Sequence, residues 1–405
     1  MRSAFLTFLL LAFSTNADEP RFPKFKMQEI ATDLTVGYAV IAADINGDGK
    51  PDIVVVDSKR VVWYENPTWK VRTVIGAKTK PDNVCITALD IDGDGQLDLV
   101  LGADWAPFNT KSGGTLQWLK RGKTLDEEWS VHPIGEEPVV HRVRIADIDD
   151  SGKKAIVHVP LMGRDSTKEA NWMDGRPVRV LAYKIPKDPI KGPWEPIVLN
   201  EDLHVCHNFW PIPGAKKGGP NDILITAYEG VYQLRNDGSK WVADKKGAGN
   251  QTNLKSNRGA SEIKLGSLKS GKQYIATIEP WHGNEVVVYP TDATTDGLCK
   301  RIVIDDHLRW GHGVWCADLD GDGDEELIIG VRDLPAKGDA FTEKWGVRIY
   351  KATDETRTKW ARQIIDEGVA VEDLTAADLN ADGKIDIVAV GRKTGNARIF
   401  WNMGK

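Results

Sequence analysis

Asp44-Ile45-Asn46-Gly47-Asp48-Gly49 is a pattern of oxygen-bearing side chains and glycines that returns along the chain. Full copies begin at Asp90, Asp318 and Asp378, and a weaker copy begins at Asp147. These five starting points are 46, 57, 171 and 60 residues apart, and 171 is three times 57. We therefore predict two degenerate copies inside the long interval, at residues 212–226 and 265–277, and seven repeat units in all.

Four segments of strand character belong to each unit. A short strand precedes the loop, and an apolar, β-branched run follows it at residues 53–56, 99–101, 327–329 and 387–390. Next come residues 61–64, 115–119, 347–350 and 397–401, and then segments that begin at Trp69, Trp129, Trp194 and Trp360. This anatomy predicts an all-β fold, a seven-bladed β-propeller of four-stranded antiparallel blades.

The two ends of the repeat array complement each other. The last unit stops after its third strand at Trp401, while residues 25–30 have the character of a fourth strand and precede the first complete unit. We expect this N-terminal strand to complete the last blade and close the ring, which leaves no sheet edge open to edge-to-edge aggregation.

The first residues have the features of a secretory signal. Arg2 supplies a positive charge, residues 5–13 are apolar, and Thr15-Asn16-Ala17 offers small residues for cleavage. We predict a signal peptide at residues 1–17, a single propeller domain at residues 18–405, and a secreted or periplasmic protein. No other segment approaches the roughly 20 apolar residues of a membrane span.

Composition limits the partners. The formal net charge is -6 and the acidic residues gather in short loops, which argues against a nucleic-acid partner. The sequence has no phosphate-binding loop and no dinucleotide fingerprint. Cys85, Cys206, Cys299 and Cys316 fit either disulfides in an oxidising compartment or buried free thiols. The oligomeric state stays open.

The repeated loops carry oxygen ligands at a spacing that suits calcium. In the first loop, positions 1, 3 and 5 are Asp44, Asn46 and Asp48. Position 7 offers the backbone carbonyl of Lys50, and position 9 the carboxylate of Asp52. The matching side chains of the other full copies are Asp90, Asp92, Asp94 and Asp98, then Asp318, Asp320, Asp322 and Glu326, then Asp378, Asn380, Asp382 and Asp386.

These loops are not EF-hands, because position 12 is never Glu and lies within a strand. We expect them to hold several structural Ca²⁺ ions that stabilise the scaffold. The weak copy has Ala155 at position 9 and Ser151 at position 5, so it is expected to bind weakly or to serve as a plain turn.

The loops and the strands around them resemble the FG-GAP or VCBS repeat, the calcium-loop propeller unit also seen in integrin alpha chains. A narrower resemblance is to the propeller domain of aldos-2-ulose dehydratase, a lyase acting on keto-sugars such as 1,5-anhydrofructose. It is carried by His204-Val205-Cys206-His207-Asn208, Glu279-Pro280-Trp281-His282-Gly283-Asn284-Glu285 and Trp310-Gly311-His312-Gly313. The broad resemblance implies the fold, and the narrow one implies sugar chemistry.

The calcium loops also orient the blades. Each loop joins the first and second strands, so the start of the first strand and the turn between the second and third strands lie on the opposite face. Six residues before each loop Asp stand Tyr38, Val84, His141, His312 and Glu372, and His207 aligns with them. The turns hold Asp104, Trp105, Tyr228, His282 and Arg332, together with a long insertion at residues 162–177 that contains Arg164.

We predict that these residues converge on a central funnel. The candidate catalytic residues are His141, His207, His282, His312, Tyr228 and Glu372. His207, His282 and His312 are candidate ligands of a second divalent metal, such as Zn²⁺ or Mg²⁺. The candidate substrate-binding residues are Tyr38, Asp104, Trp105, Arg164, Trp281, Trp310 and Arg332. A structural role for the histidines, and blade packing for the tryptophans, are the alternatives.

Two functions fit this arrangement. The first is a secreted lyase or dehydratase that removes a proton alpha to the carbonyl of a keto-sugar or 3-keto-glycoside and eliminates water, with metal assistance. The second is a non-catalytic, calcium-stabilised propeller that binds a glycan or a protein on the funnel face. The sequence does not assign which residue is the acid and which is the base.

Overall fold

The β-branched runs that follow the loops become the second strands of seven four-stranded antiparallel sheets. The structure, a computed structural model, describes residues 20–338 and 343–405, so the predicted signal peptide at residues 1–17 lies outside the described residues. The described residues form strands and turns, and no helix among them is long and apolar enough to cross a membrane.

The strands follow one another in chain order, blade by blade. The first strand is β1 (Phe25–Ala31). Blade 1 contains β2 (Gly37–Ala43), β3 (Asp52–Asp57), β4 (Arg60–Glu65) and β5 (Lys70–Ile75). Blade 2 contains β6 (Cys85–Leu89), β7 (Asp98–Ala103), β8 (Thr115–Lys120) and β9 (Ser130–Glu136). Blade 3 contains β10 (Val140–Asp147), β11 (Lys154–Pro160), β12 (Val178–Lys184) and β13 (Pro196–Leu203).

The remaining blades follow the same order. Blade 4 contains β14 (Phe209–Ile212), β15 (Asp222–Ala227), β16 (Gly230–Asn236) and β17 (Trp241–Gly247). Blade 5 contains β18 (Ile263–Ser267), β19 (Gln273–Glu279) and β20 (Glu285–Pro290), then a small hairpin of β21 (Thr294–Thr295) and β22 (Leu298–Cys299), and then β23 (Ile302–Asp305). Blade 6 contains β24 (Gly311–Ala317), β25 (Glu326–Val331), β26 (Gly346–Ala352) and β27 (Trp360–Asp366). Blade 7 contains β28 (Val371–Ala377), β29 (Asp386–Gly391) and β30 (Ala397–Asn402), and it is completed by β1.

The sheets form a closed ring. The first strand of each blade contacts the first strands of its two neighbours, in the cyclic order β2, β6, β10, β14, β18, β24, β28 and back to β2. Strand β1 pairs antiparallel with β30, and Phe25 lies opposite Asn402. The predicted seven-bladed propeller and its closure by an N-terminal strand are therefore confirmed, and blades 4 and 5 contain the two predicted degenerate copies.

Burial explains why the second strands are apolar on both faces. Every residue of β3, β7, β15, β25 and β29 is buried, because a blade is covered on each face by a neighbouring blade. Cys85, Cys206 and Cys299 are buried in this packing, and all four cysteines are free thiols, which is the second of the two predicted alternatives.

One detail of the predicted strands is wrong. Trp69 and Trp129 lie just before the fourth strands of their blades, Trp194 lies two residues before its strand, and only Trp360 opens one. Trp69 has a left-handed φ of 56°, and its amide donates a hydrogen bond to the Glu65 carbonyl. It is therefore a turn residue, since a left-handed conformation interrupts an extended strand.

Three asparagines, of which Asn66 and Asn402 are buried and Asn236 is half-buried, each connect a blade to the loop of the preceding blade. Asn66 Nδ2 donates to the Leu379 carbonyl at 2.6 Å, and Asn402 Nδ2 donates to the Leu319 carbonyl at 2.7 Å. Asn236 Nδ2 makes the same kind of bond to the Ile148 carbonyl at 3.2 Å. In each case the acceptor is the second residue of the preceding blade's loop. The loops therefore contribute to the contacts between blades.

Asn402→Ala is expected to lower the free energy of unfolding by about 1–3 kcal/mol, because it leaves the buried Leu319 carbonyl without a partner. Asn402 also donates to the Ile385 carbonyl at 3.1 Å. Urea unfolding followed by tryptophan fluorescence measures the loss. The exposed Asn253→Ala is the control and is expected to stay within about 0.5 kcal/mol of the wild type. An unchanged unfolding midpoint for Asn402→Ala would contradict the role of this contact.

Candidate active site in the central channel

Four of the residues predicted to converge lie at β-bulges. In blade 1, Gly37 pairs with Asp57 whereas Ala39 pairs with Val56, so Tyr38 is an extra residue in β2. The same register shift occurs in β10, β24 and β28, where the extra residues are His141, His312 and Glu372. A bulge re-aims a side chain and is common beside active sites. The backbone therefore directs one residue from each of four blades into the channel.

These side chains line a cavity of about 270 Å³ on the face opposite the calcium loops. Such a volume lies just below the range of about 300–1,000 Å³ for pockets that hold drug-sized ligands. The lining residues are Tyr38, Val84, Trp105, Pro107, Phe108, His141, Arg142, Leu161, Trp281, His282, His312, Arg332, Glu372 and Arg392. The cavity is therefore large enough for a small molecule and combines aromatic walls with titratable groups.

Three histidines form a close cluster: His282 and His312 line this cavity, and His207 is fully buried in contact with them. His207 Nε2 lies 2.6 Å from His282 Nε2, and the ring centroid of His312 lies 5.0 Å from those of both other histidines. One ring nitrogen of each residue lies within 4.8 Å of the others, which brings three imidazole ligands to one point. The predicted convergence of His207, His282 and His312 is thus present in the structure.

Hydrogen bonds fix the proton positions on the neighbouring rings. His312 Nδ1 donates to the Glu372 carbonyl at 2.5 Å, and His141 Nδ1 donates to the His207 carbonyl at 2.8 Å. His207 Nδ1 lies 2.8 Å from Glu262 Oε1. When Nδ1 carries the proton of a neutral imidazole, Nε2 keeps a lone pair. Partners of this kind are typical behind metal-binding histidines.

Burial keeps these imidazoles neutral. Desolvation lowers the pKa of His141, His282 and His312 well below the ordinary value of 6.5, and nearby Arg142 lowers it further. Desolvation also lowers the pKa of His207, although Glu262 opposes it. Neutral imidazole is the form that binds a metal ion and accepts a proton. The donor set fits a divalent ion such as Zn²⁺.

Glu372 has one carboxylate oxygen available for chemistry. Its Oε1 accepts a hydrogen bond from Arg392 Nη1 at 2.6 Å, whereas its Oε2 is buried and has no hydrogen-bond partner among the described residues. Arg332 Nη1 lies 3.8 Å from Oε2. Burial raises the pKa of Glu372 even though Arg332, Arg392 and Arg142 oppose that shift. A carboxylate of raised pKa with a free oxygen suits a proton acceptor.

Aromatic side chains form the walls around this polar centre. Trp281 stacks on His282 with ring centroids 4.4 Å apart, and Trp105 packs edge-on against Tyr38 at 5.7 Å. The Tyr38 hydroxyl donates to Asp82 at 2.8 Å. Tyr228 is buried 6.1 Å from Trp281, and burial raises its pKa, but it does not line the cavity.

Three predicted substrate-binding residues are not brought to the cavity. Arg164 donates through Nε and Nη2 to the buried carboxylate of Glu137, at 3.1 and 3.0 Å. Asp104 is a turn residue with a φ of 56°, and its carboxylate lies 3.3 Å from Lys80 Nζ. The Trp310 ring packs against the guanidinium of Arg309 at 4.4 Å. Arg164 and Asp104 serve the local structure of their turns.

Sequence reasoning missed the polar layer beneath the histidines. Arg142 Nη2 lies 3.3 Å from Glu262 Oε1, and Asn208 also donates to Glu262. Burial would raise the pKa of Glu262, but His207, Arg142 and Asn208 act against burial and lower it to about 2. The sequence did carry a signal for Arg142, which directly follows the bulged His141. A bulge can turn two consecutive side chains toward one face, and only the first of the two was predicted.

The four full loops differ in what surrounds their carboxylates. Lys351 Nζ lies 2.5, 2.6 and 2.9 Å from oxygens of Asp320, Asp322 and Glu326. Lys120 likewise contacts Asp92 in the second loop. In the registers of β4 and β30 the matching positions are Glu65 and Trp401, which carry no ammonium group. The carboxylates at residues 90–94 and 318–326 come close enough to one another to hold an ion, but both sets already contact a lysine. In the fourth loop the loop's own Lys384 lies 2.8 Å from Asp382. Among the described residues, no lysine contacts a carboxylate of the loop at residues 44–52, which is therefore the most open to a calcium ion.

Two family models match this chain. The one described as "Aldos-2-ulose dehydratase, beta-propeller domain" matches residues 113–292, and the one described as "FG-GAP-like repeat" matches residues 44–101 and 318–389. The chain is 27% identical over 301 residues to Aldos-2-ulose dehydratase from Phanerodontia chrysosporium, a match that covers 69% of this chain and 32% of that protein. The chain thus matches less than half of the length of its relative. The resemblance predicted from the sequence is confirmed.

Solved structures share the fold at low identity. Chains from two crystal structures of BBS1N in complex with ARL6DN, one soaked with mercury and one with lead, superimpose with TM-scores of 0.51 and 0.53. Both are 11% identical, and each comparison covers 94% of this chain and 96% of the other. At this identity the likeness concerns the propeller architecture alone.

Proposed function

We propose that this protein is a carbohydrate-active dehydratase that removes water from a keto-sugar or 3-keto-glycoside in the central cavity. The observation that carries the proposal is the convergence of His282, His312 and Glu372 on one cavity, with His207 buried in contact with both histidines. Family relationship supports the substrate class, because the match to the dehydratase propeller includes His141, His207 and His282. The predicted leader supports a site of action outside the cytoplasm.

The reaction needs a proton acceptor and a group that stabilises negative charge. Glu372 Oε2 accepts the proton from the carbon next to the carbonyl, since this oxygen has no hydrogen-bond partner among the described residues. Electrons of the broken C–H bond form a C=C bond, the C–O bond at the β-carbon breaks, and the departing oxygen takes up the proton that Glu372 received and leaves as water. The guanidinium groups of Arg332 and Arg392 stabilise the charge that develops on the carbonyl oxygen.

The three histidines supply a place for a divalent ion. When bound, such an ion would polarise the substrate carbonyl as a Lewis acid. His207 and His312 are held in position by Glu262 and by the Glu372 carbonyl. Trp105 and Trp281 offer apolar walls against which a sugar ring can pack.

Incubation with 1,5-anhydrofructose and with 3-keto-glycosides tests this function. Turnover is expected to produce an unsaturated ketone that is followed by its ultraviolet absorbance. Glu372→Gln is expected to lower kcat by about 100-fold or more, because the amide cannot accept the proton. If no keto-sugar is consumed with Zn²⁺, Mg²⁺ or Mn²⁺ supplied, the dehydratase proposal fails.

A binding module is the second candidate. Phe108 is 61% exposed at the cavity and stacks on Trp172 with ring centroids 5.4 Å apart. An exposed aromatic face of this kind suits contact with a sugar ring. Saturable binding of a glycan without turnover, lost in Phe108→Ala, would favour this candidate over the enzyme.

We further propose that Ca²⁺ ions stabilise the loops at residues 44–52 and 378–386, whereas lysine ammonium groups take that role in the loops at residues 90–98 and 318–326. The ammonium of Lys351 lies among three carboxylates and partly neutralises them. A calcium ion bound at its usual ligand distances of about 2.3–2.6 Å would have to displace it.

Lys351→Met is expected to let the loop at residues 318–326 bind one more calcium ion, because the variant frees Asp322 and Glu326 from an ammonium group and leaves Asp320 with that of Lys405 alone. Equilibrium dialysis of chelator-treated protein measures the number of ions bound. Lys153→Met, in the weak copy, is the control and is expected to leave that number unchanged. An equal number of ions in wild type and Lys351→Met would show that the lysine does not compete.

A further inference from the structure

A second cavity of about 430 Å³ lies in the channel on the calcium-loop side of the polar layer. Arg142 lines both cavities, so the polar layer separates them. The inner strand of every blade contributes to the lining. The residues at equivalent register are Ile41, Thr87, Arg144, Trp210, Lys264, Trp315 and Thr375. This cavity is distinct from the histidine site and has no role in the proposed reaction.

Lys264 brings a cation into this cavity without a counter-ion. The residue is 5% exposed, and its ammonium has no hydrogen-bond or ion-pair partner among the described residues. Its Nζ lies 3.5 Å from the ring centroid of Trp210 and 4.7 Å from that of Trp315. Aromatic faces attract a cation but do not replace a carboxylate. In its protonated form, Lys264 therefore presents a buried positive charge to the cavity.

Arg144 adds a second cation with spare hydrogen-bond donors. Its Nη1 donates to the Val143 carbonyl at 2.8 Å, while its Nε is buried and has no partner among the described residues. The guanidinium also lies 5.3 Å from the ring centroid of Trp210. A guanidinium offers five N–H donors, and a buried donor that makes no hydrogen bond costs free energy.

The carboxylates nearby do not balance these charges. Glu262 pairs with Arg142, and Asp373 accepts a hydrogen bond from the Val40 amide at 3.0 Å. Neither carboxylate lies within ion-pair distance of Arg144 or Lys264 in the described structure. This part of the channel thus holds Arg142, Arg144 and a protonated Lys264 against the two carboxylates of Glu262 and Asp373, and a buried excess charge favours the binding of an ion of opposite sign.

We propose that this second cavity binds a small organic carboxylate, whose anionic group lies between Lys264 and Arg144. Most of the remaining wall is apolar, and its polar members are Thr87, Asp373 and Thr375. The apolar members include Ala39, Val40, Ile41, Ala42 and Ala43 of β2, with Ile86, Trp210 and Trp315. A cavity of this size with such a wall is suited to a carbon skeleton attached to the anion rather than to an inorganic ion alone. The proposal does not depend on the dehydratase function.

Tryptophan fluorescence of the full-length protein, titrated at pH 6.5 and constant ionic strength, tests the site. Sodium benzoate and sodium gluconate are the carboxylate probes, benzamide is the uncharged analogue of benzoate, and sodium sulfate is the inorganic probe. At least one carboxylate is expected to change the emission of Trp210 and Trp315 and to saturate. Benzamide and sulfate are expected to bind at least about tenfold more weakly than that carboxylate.

Lys264→Met is expected to weaken carboxylate binding by about 30-fold or more, since it removes one buried charge from the pair. Lys264→Arg restores the charge and is expected to recover binding in part, and Lys153→Met is the exposed control. Circular dichroism and the thermal midpoint show that each variant is folded. Equal affinity in wild type and Lys264→Met, binding of sulfate alone, or saturation by neither carboxylate would overturn the proposal. His282→Asn is expected to leave this binding unchanged, which separates the two cavities.

Discussion

His282→Asn is expected to lose the divalent ion of the histidine cluster and to lower kcat/KM on a keto-sugar by about 100- to 10,000-fold. Asparagine is chosen because His282 has a left-handed φ of 50°, a conformation that asparagine adopts more easily than alanine. The variant therefore removes the imidazole without adding backbone strain. Metal content is measured by mass spectrometry after gel filtration, and turnover by the absorbance of the unsaturated product.

The matched control is His132→Asn, which changes a histidine on β9 away from the channel. It is expected to keep both the metal content and the turnover of the wild type. If His282→Asn retained its metal ion and full turnover, the three histidines would not be a functional centre. Loss of metal with full turnover would separate the metal site from the reaction and leave Glu372 as the residue to pursue.

Lys264→Met is expected to abolish a rise in folding stability between about pH 7 and pH 10. Burial lowers the pKa of Lys264 from 10.5 to about 7 in the folded protein, with Arg144 acting in the same direction. Between the two pKa values the unfolded chain binds a proton that the folded chain does not, so stability increases with pH. The slope approaches about 1.4 kcal/mol per pH unit for one proton.

Urea unfolding at pH 7, 8, 9 and 10 measures this slope in wild type and variant. Other groups face Lys264, namely Arg144, Glu262, Asp373 and Cys316, and they are unchanged in the variant. Burial raises the pKa of the Cys316 thiol to about 12, above this window. The difference between wild type and Lys264→Met therefore isolates Lys264. Parallel slopes would mean that Lys264 stays charged in the folded protein.

The propeller could be predicted because each clear repeat unit is recognisable from a short, continuous stretch of sequence. A loop of alternating Asp and Gly followed by a β-branched run marks each clear unit, and an interval of three repeat lengths locates the two degenerate units. Closure by residues 25–30 followed from counting strands. The first residues of the fourth strands were predicted less accurately, because a tryptophan at a repeated position can either end a turn or open a strand. Trp69 ends a turn.

The candidate site was predictable where one repeat position decides the geometry. His141, His312 and Glu372 share a bulge at that position, so a common offset found them. Arg142 directly follows the bulged His141, so an offset within the repeat could have found it. Glu262 was missed because its contact with Arg142 joins two non-adjacent blades across the channel, which no offset within a repeat reveals. Arg164 was predicted at the site because it lies in the long insertion at residues 162–177. In the structure it pairs with the buried carboxylate of Glu137 and does not line the cavity. Lys120 and Lys351 lie on the third strands of the same blades as their loops, and they were missed because only residues within the loops were considered.

The pairing of β1 with β30 has a consequence for how the chain reaches its final form. Phe25 pairs with Asn402, so the blade that closes the ring joins segments nearly the whole chain apart. The Lys24 amide also donates to the Gly404 carbonyl at 2.9 Å. Contacts between distant segments slow folding, because the intervening chain must first be ordered. A circular permutant that links these two segments and opens between blades would make this pairing local, and the last step of folding would become faster.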